Sequence, residues 1–222
     1  MKLAEAYPIL KAACNIPFGE LFKGHPEDLT TNKGHVGQLL EKYIGLKLGN
    51  SLTDFEDGEL KTNKTFASGK PDQTIALTQI RSSIDTMVGK PRTLFEESRV
   101  YKKIRNLLVV PVVKDAPEAK DWYLLNVAHI NLAENPELHR QFASDYQIIC
   151  DQFIEQIENG KSGLIRTSNG HYLQARTKDS KNARGEYKPI FSETYQRDIS
   201  TKNHAFYFQR QLMLDVVAGK LD

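Results

Sequence analysis

Seven consecutive apolar residues, Leu107-Leu108-Val109-Val110-Pro111-Val112-Val113, constrain this chain more than any other feature. A strand turns alternate side chains to opposite faces, so a run without polar interruption needs cover on both. The expected architecture is therefore α/β, a mixed central β-sheet flanked by helices. At 222 residues there is length for one medium domain or two closely packed lobes. A chain that is 40% hydrophobic and 26% charged has ordinary globular composition, which excludes a disordered polyelectrolyte. No run of about 18 apolar residues exists, and the N-terminus lacks the charged, apolar, small-residue plan of an export signal. A soluble, cytoplasmic protein with no membrane contact is expected.

Periodicity supplies the helices. Leu3, Ala6, Ile9, Leu10 and Ala13 have helical spacing, with Pro8 limiting that opening segment to a short or broken helix. After a polar connector at 24–34, Val36, Leu39, Leu40, Tyr43 and Ile44 form one apolar stripe, with Glu41 off it and free to face a cleft. Gly45 and Gly49 stop this helix. Leu138, Phe142, Tyr146, Ile149, Phe153 and Ile157 line one side of a long helix from Pro136 to Asn159. Trp122 to Ile130 reads as one strand, 73–88 as strand passing into helix or loop, and 172–175 and 205–208 as short strands. A final helix closes the chain. Cys14 and Cys150 fall in apolar stretches outside any ligand spacing, so both are read as reduced core residues. The histidines form no metal cluster, and Gly34 and Gly37 lack the setting of a phosphate loop. Their expected purpose is close backbone approach at a helix start.

The chemistry is carried by Asp54-x4-Glu59-Leu60-Lys61. Residues 51–67 read as two short strands around a tight Glu56-Asp57-Gly58 turn. Positions i and i+2 of a strand share a face, so Glu59 and Lys61 point into one site while Leu60 buries. Asp54 meets them from the preceding strand and is preferred over Asp57, which adjoins Gly58 at the turn. Two carboxylates are the hard oxygen ligands that Mg²⁺ takes, and a neighbouring ammonium can orient a nucleophilic water. The pattern D…(D/E)xK is that of metal-dependent nucleases. The formal net charge is only +2, so any DNA-binding potential must be local. Residues 161–210 fit that, carrying ten Lys and Arg against four Asp and Glu, interleaved with tyrosine and phenylalanine.

Three blocks in order resemble the MutH family: Lys33-Gly-His-Val-Gly-Gln-Leu-Leu-Glu41; Asp54-Phe with Glu59-Leu-Lys-Thr62; and Val100-Tyr-Lys-Lys103-Ile-Arg-Asn-Leu-Leu-Val-Val-Pro-Val112. That family comprises a mismatch-repair nicking endonuclease and GATC-cutting restriction enzymes. Looser likeness follows at 140–157, Gly170 to Lys178 and Ala205 to Arg210. The resemblance implies a restriction-endonuclease-like fold with a DNA-binding cleft between two lobes, a catalytic lobe at about 1–130 and a recognition portion at about 160–222. It makes Asp54 and Glu59 the Mg²⁺ ligands, Lys61 the catalytic lysine, Glu41 a supporting acid and Lys103 a second active-site lysine. Arg176, Lys178 and Tyr207 fall where the family contacts its recognition sequence; Lys181, Arg184 and Arg210 join them as DNA-binding cations. The gap between the aspartate and the ELK glutamate holds four residues here, against six in the repair nickase and four in related restriction enzymes. That short turn, with divergence in the last third, favours a type II restriction enzyme cutting duplex DNA at GATC-type sites. The alternative is a repair nickase activated by a MutL-like partner, and a second is a silent DNA-binding module. A monomer or transient homodimer is expected.

Overall fold

The computed structural model describes residues 1–23, 35–46, 53–160 and 163–221, His35 by its backbone only. The 24–34 connector with Lys33 and Gly34, Gly49, Ser51, Leu52 and Lys161 lie outside the described residues. The helices are α1 (Leu3–Ala12), α2 (Phe18–Leu21), α3 (His35–Tyr43), α4 (Ile84–Val88), α5 (Arg99–Ile104), α6 (Pro136–Asn159) and α7 (Arg210–Val217). The strands are β1 (Glu59–Thr65), β2 (Ile75–Gln79), β3 (Asn106–Val113), β4 (Tyr123–Leu124), β5 (Ala128–Asn131), β6 (Ser168–Asn169), β7 (Leu173–Thr177), β8 (Ile190–Ser192), β9 (Arg197–Ser200) and β10 (His204–Phe208). The chain divides into two compact units, one of Met1–Ile75, Lys103–Asn135 and Arg210–Asp222, the other of Ala76–Lys102 and Pro136–Gln209. Among the described residues no helix is long and apolar enough to cross a membrane.

The first unit is organised by β3, whose residues Leu107 to Val110 have no exposed surface. β1 lies parallel to it, Glu59 opposite Leu107 and Lys61 opposite Val109. The other edge of β3 is shared end to end by β5, against Asn106 to Val109, and β4, against Val112 and Val113, both antiparallel. The one strand expected at Trp122–Ile130 is thus two pieces, and Pro111 is the reason. Its carbonyl accepts from Leu125 N at 2.9 Å toward that edge, where proline has no N–H to return. Leu3, Ala6 and Leu10 of α1 and Val36, Leu39 and Leu40 of α3 bury in the same core as Leu60, Leu108 and Val110. Pro8 does not break α1; it forgoes one ladder bond and the helix runs on through it. The α3 stripe is as expected except Tyr43, which stays 37% exposed.

The second unit holds a separate four-stranded sheet, β2-β10-β7-β6, and a β8–β9 hairpin. The single central sheet read from the sequence is therefore two four-stranded sheets, one in each unit, beside the β8–β9 hairpin. A sequence shows which segments are strands but not which distant strands they pair with. Segment 73–88 resolves into β2, one 3-10 turn and α4. The long helix runs over Pro136–Asn159 as expected, and its apolar side meets β10. Ring centroids of Phe142 and Phe208 are 5.8 Å apart, those of Tyr146 and Phe206 6.1 Å, those of Phe153 and His204 5.8 Å.

Candidate active site

The expected hairpin before Glu59 does not form in the described residues. Residues 53–57 are a bend, and β1 takes its partner from β3 instead. The bend still delivers Asp54, whose Oδ2 accepts the backbone N–H of Leu60 at 2.9 Å. That bond ties Asp54 to the strand carrying Glu59 and Lys61. Asp57 has other work: its Oδ1 accepts Leu3 N at the start of α1 at 2.9 Å, and its carbonyl accepts Asn106 Nδ2 at 3.1 Å. The preference for Asp54 therefore has a physical basis. Gly58 enables the crossing, because a Cβ there would stand 2.5 Å from Asn106 O and 2.6 Å from Leu3 Cδ1. Gly37, by contrast, has nothing nearer than Thr62 Oγ1 at 3.9 Å among the described residues, so none of these requires a close approach there.

Glu59 is only 1% exposed. An isolated carboxylate at that depth is costly, and two ammoniums offset the cost. Lys103, at the end of α5, donates to Glu59 Oε1 at 2.9 Å and Oε2 at 3.0 Å. Lys61 donates to Oε1 as well and to Leu60 O at 3.3 Å. Glu41, off the α3 stripe as expected, is half-buried beside this group. Burial raises its carboxyl above the ordinary range, with Asp54 and Glu59 adding to the shift and Lys61 opposing it. The five residues expected at one centre thus stand together in the first unit. Among the described residues, no three His, Cys, Asp or Glu side chains are already gathered as an ion cage. The donor chemistry nonetheless fits a hard divalent cation, since Glu41 lies within electrostatic reach of Asp54 and Glu59 and every candidate ligand is an oxygen. An open cavity of about 530 Å³ adjoins Asp54, walled by Gly45, Leu46, Thr53 and Phe55.

The second unit gathers a different chemistry. Arg176 and Lys178 follow at two-residue spacing from the outer face of β7, and Tyr207 of β10 is paired with Gln174. The Arg176 guanidinium lies 4.1 Å from the Tyr207 ring centroid, and Lys178 Nζ lies 5.9 Å away. Tyr207 is only 8% exposed, so it serves as the platform under these cations rather than an open stacking surface. Lys181 and Arg184 are exposed on the loop after β7. Asn182 shapes that loop, its Oδ1 accepting Arg184 N at 2.9 Å and Glu186 N at 3.0 Å. Arg81, not singled out by sequence, pins it by donating to Lys188 O at 2.5 Å. Arg210 belongs to the first unit, where it donates to Asp72 O at 3.0 Å. Cys150 is buried and its thiol is pushed up to about 12 by that burial, while Cys14 is half-buried. Asp145 and Gly170 were also missed, because a lone helical aspartate and a turn glycine carry no sequence signature.

An acid–lysine centre on the first strand of a mixed α/β unit, with a basic sheet face elsewhere in the chain, defines the class. No family model matches the chain. It is 29% identical over 203 residues to the DNA mismatch repair protein MutH of Yersinia pestis (strain Pestoides F), covering 87% of this chain and 80% of that protein. It is 29% identical over 201 residues to the protein of the same name from Vibrio cholerae serotype O1, covering 86% and 82%. The similarity to these mismatch-repair proteins runs along nearly nine-tenths of the chain.

Proposed function

We propose that the protein is a Mg²⁺-dependent endonuclease of DNA mismatch repair, nicking one strand of duplex DNA. The observation that carries this is the buried Glu59 carboxylate shared by Lys61 and Lys103, with Asp54 tied to the same strand. Asp54 and Glu59 would hold the metal, with Glu41 beside them. When bound, Mg²⁺ supplies charge to the scissile phosphate and a more acidic water. The chain's own groups do the rest. Lys103 contacts both Glu59 oxygens and so orients that carboxylate. Lys61, on the same face of β1, can give up its share of Glu59 and turn its ammonium to the attacking water and the phosphoryl oxygens. Leu60 anchors the strand in the core, so these groups are held before substrate arrives. The Arg176, Lys178 and Tyr207 face, with Lys181 and Arg184, is the proposed DNA contact.

The restriction reading favoured by the short turn gives way to the repair reading, because the relatives are named for mismatch repair. The turn length bears less weight than it did, since β1 is fixed by β3 and by the Asp54–Leu60 bond rather than by a hairpin. Supercoiled, unmethylated plasmid incubated with Mg²⁺ separates the two. Slow nicking that rises at least about tenfold with a MutL-like partner supports repair; prompt linear product without any partner overturns it.

A further inference from the structure

Asp145 lies in the middle of α6 with no exposed surface. A carboxylate there must recover in hydrogen bonds what it loses in hydration. Its Oδ1 accepts His171 N at 2.8 Å and Gln141 Nε2 at 2.9 Å; its Oδ2 accepts Tyr172 N at 2.6 Å and Leu173 N at 2.8 Å. Three successive backbone N–H groups thus converge on one anion, an oriented-amide nest around a fixed charge. Gly170 completes the seat, since a Cβ there would stand 2.5 to 2.6 Å from the Asp145 side chain. Gln209 closes the turn from the other side, its N–H donating to Tyr172 O at 2.7 Å and its amide to Gly170 O and Leu173 O.

This seat is larger than a turn needs. Leu173 is the first residue of β7, and Arg176 and Lys178 follow three and five positions later. A strand presents alternate residues to opposite faces, so a shift of one residue would send both cations to the α6 side. Base reading tolerates displacements of only about half an ångström in the side chains that perform it. We propose that Asp145 is a positioning residue for DNA sequence reading: its buried carboxylate fixes the start of β7 and therefore where Arg176 and Lys178 are presented. The inference rests on the proposal that this face contacts DNA.

The test uses the full chain and two variants. Asp145→Asn keeps one acceptor oxygen and turns an N–H donor either against His171 N or against Tyr172 N and Leu173 N. Gly170→Ala keeps the carboxylate and pushes the turn away from it. Competition binding compares a duplex containing the site cut fastest by the parent with the same duplex changed at one base pair. The expected result is a loss of about tenfold in the preference between the duplexes. Affinity for the changed duplex should stay within about twofold, with each variant folded at the assay temperature. A preference unchanged in folded variants, or an equal loss on both duplexes, overturns the proposal. Arg176→Ala separates the two levels. If it keeps the preference, the DNA-contact reading fails and this inference with it. If it loses the preference while Asp145→Asn and Gly170→Ala keep it, only the role of Asp145 falls. Hydrogen exchange on the parent tests the seat without any variant: amides 171–173 should be among the slowest of the second unit, and exchange as fast as at 180–184 contradicts it.

Discussion

Glu59 meets two opposed demands, burial at 1% exposure and a carboxylate's need for polar partners, and the paired lysines reconcile them. A sequence can show that Glu59 and Lys61 share a strand face, because the two-residue period is local. It cannot show that Lys103, 44 positions away, contacts both oxygens of the same carboxylate; that comes from β1 pairing with β3. Asp145 was illegible for a similar reason, since its three backbone partners lie 26 to 28 residues downstream. His204 is a third buried polar residue, its ring nitrogens 2.7 Å from Ile165 O and 3.1 Å from Lys202 O. Burial lowers its pKa below the ordinary value of 6.5, more than the two carbonyl contacts restore. The unfolded chain therefore takes up the proton first as pH falls. Stability from this group is complete above pH 6.5 and declines below it. Thermal unfolding from pH 8 to pH 5 should show a falling midpoint, and His204→Asn should flatten that dependence. An equally steep dependence in the variant assigns the acid sensitivity elsewhere.

At the scale of elements, the apolar runs and stripes were read well because burial alone dictates them. β3, α6 and the α3 stripe followed directly from their residues. The failures came where a long-range partner overruled a local signal. A hairpin is the local reading of 51–67 because Asp57-Gly58 resembles a turn signal, yet β1 joins β3 in parallel and Gly58 serves the crossing. That distinction is testable. Gly58→Ala forces a methyl against Asn106 O, a backbone atom with little room to retreat, and against Leu3. Urea unfolding should show a loss of about 1 to 3 kcal/mol. Cleavage should fall further than stability explains, because the bend carrying Asp54 shifts with it. A variant as stable as the parent means that the crossing tolerates a side chain and the tight approach is wrong.

Across the whole molecule, the chemistry is divided between two compact units, with the acids and lysines of the candidate centre in one and Arg176, Lys178 and Tyr207 in the other. The basic composition of 161–210 made the second legible as a region, but not the stacking of Arg176 on a nearly buried tyrosine. A net charge of +2 leaves affinity to local contacts. Lys178→Ala should therefore reduce the slope of log affinity against log salt by about one phosphate equivalent, measured by titration of a short duplex. An unchanged slope removes Lys178 from the contact surface. The central claim, that Glu59 belongs to a metal-dependent cleaving centre, is tested most directly by nicking of supercoiled plasmid across a Mg²⁺ titration, parent beside Glu59→Gln. The parent should nick only with metal present, and the variant should be slower by at least about 100-fold at every concentration while remaining folded. Equal rates in the two proteins, or parental nicking that ignores chelation of the metal, would contradict the account.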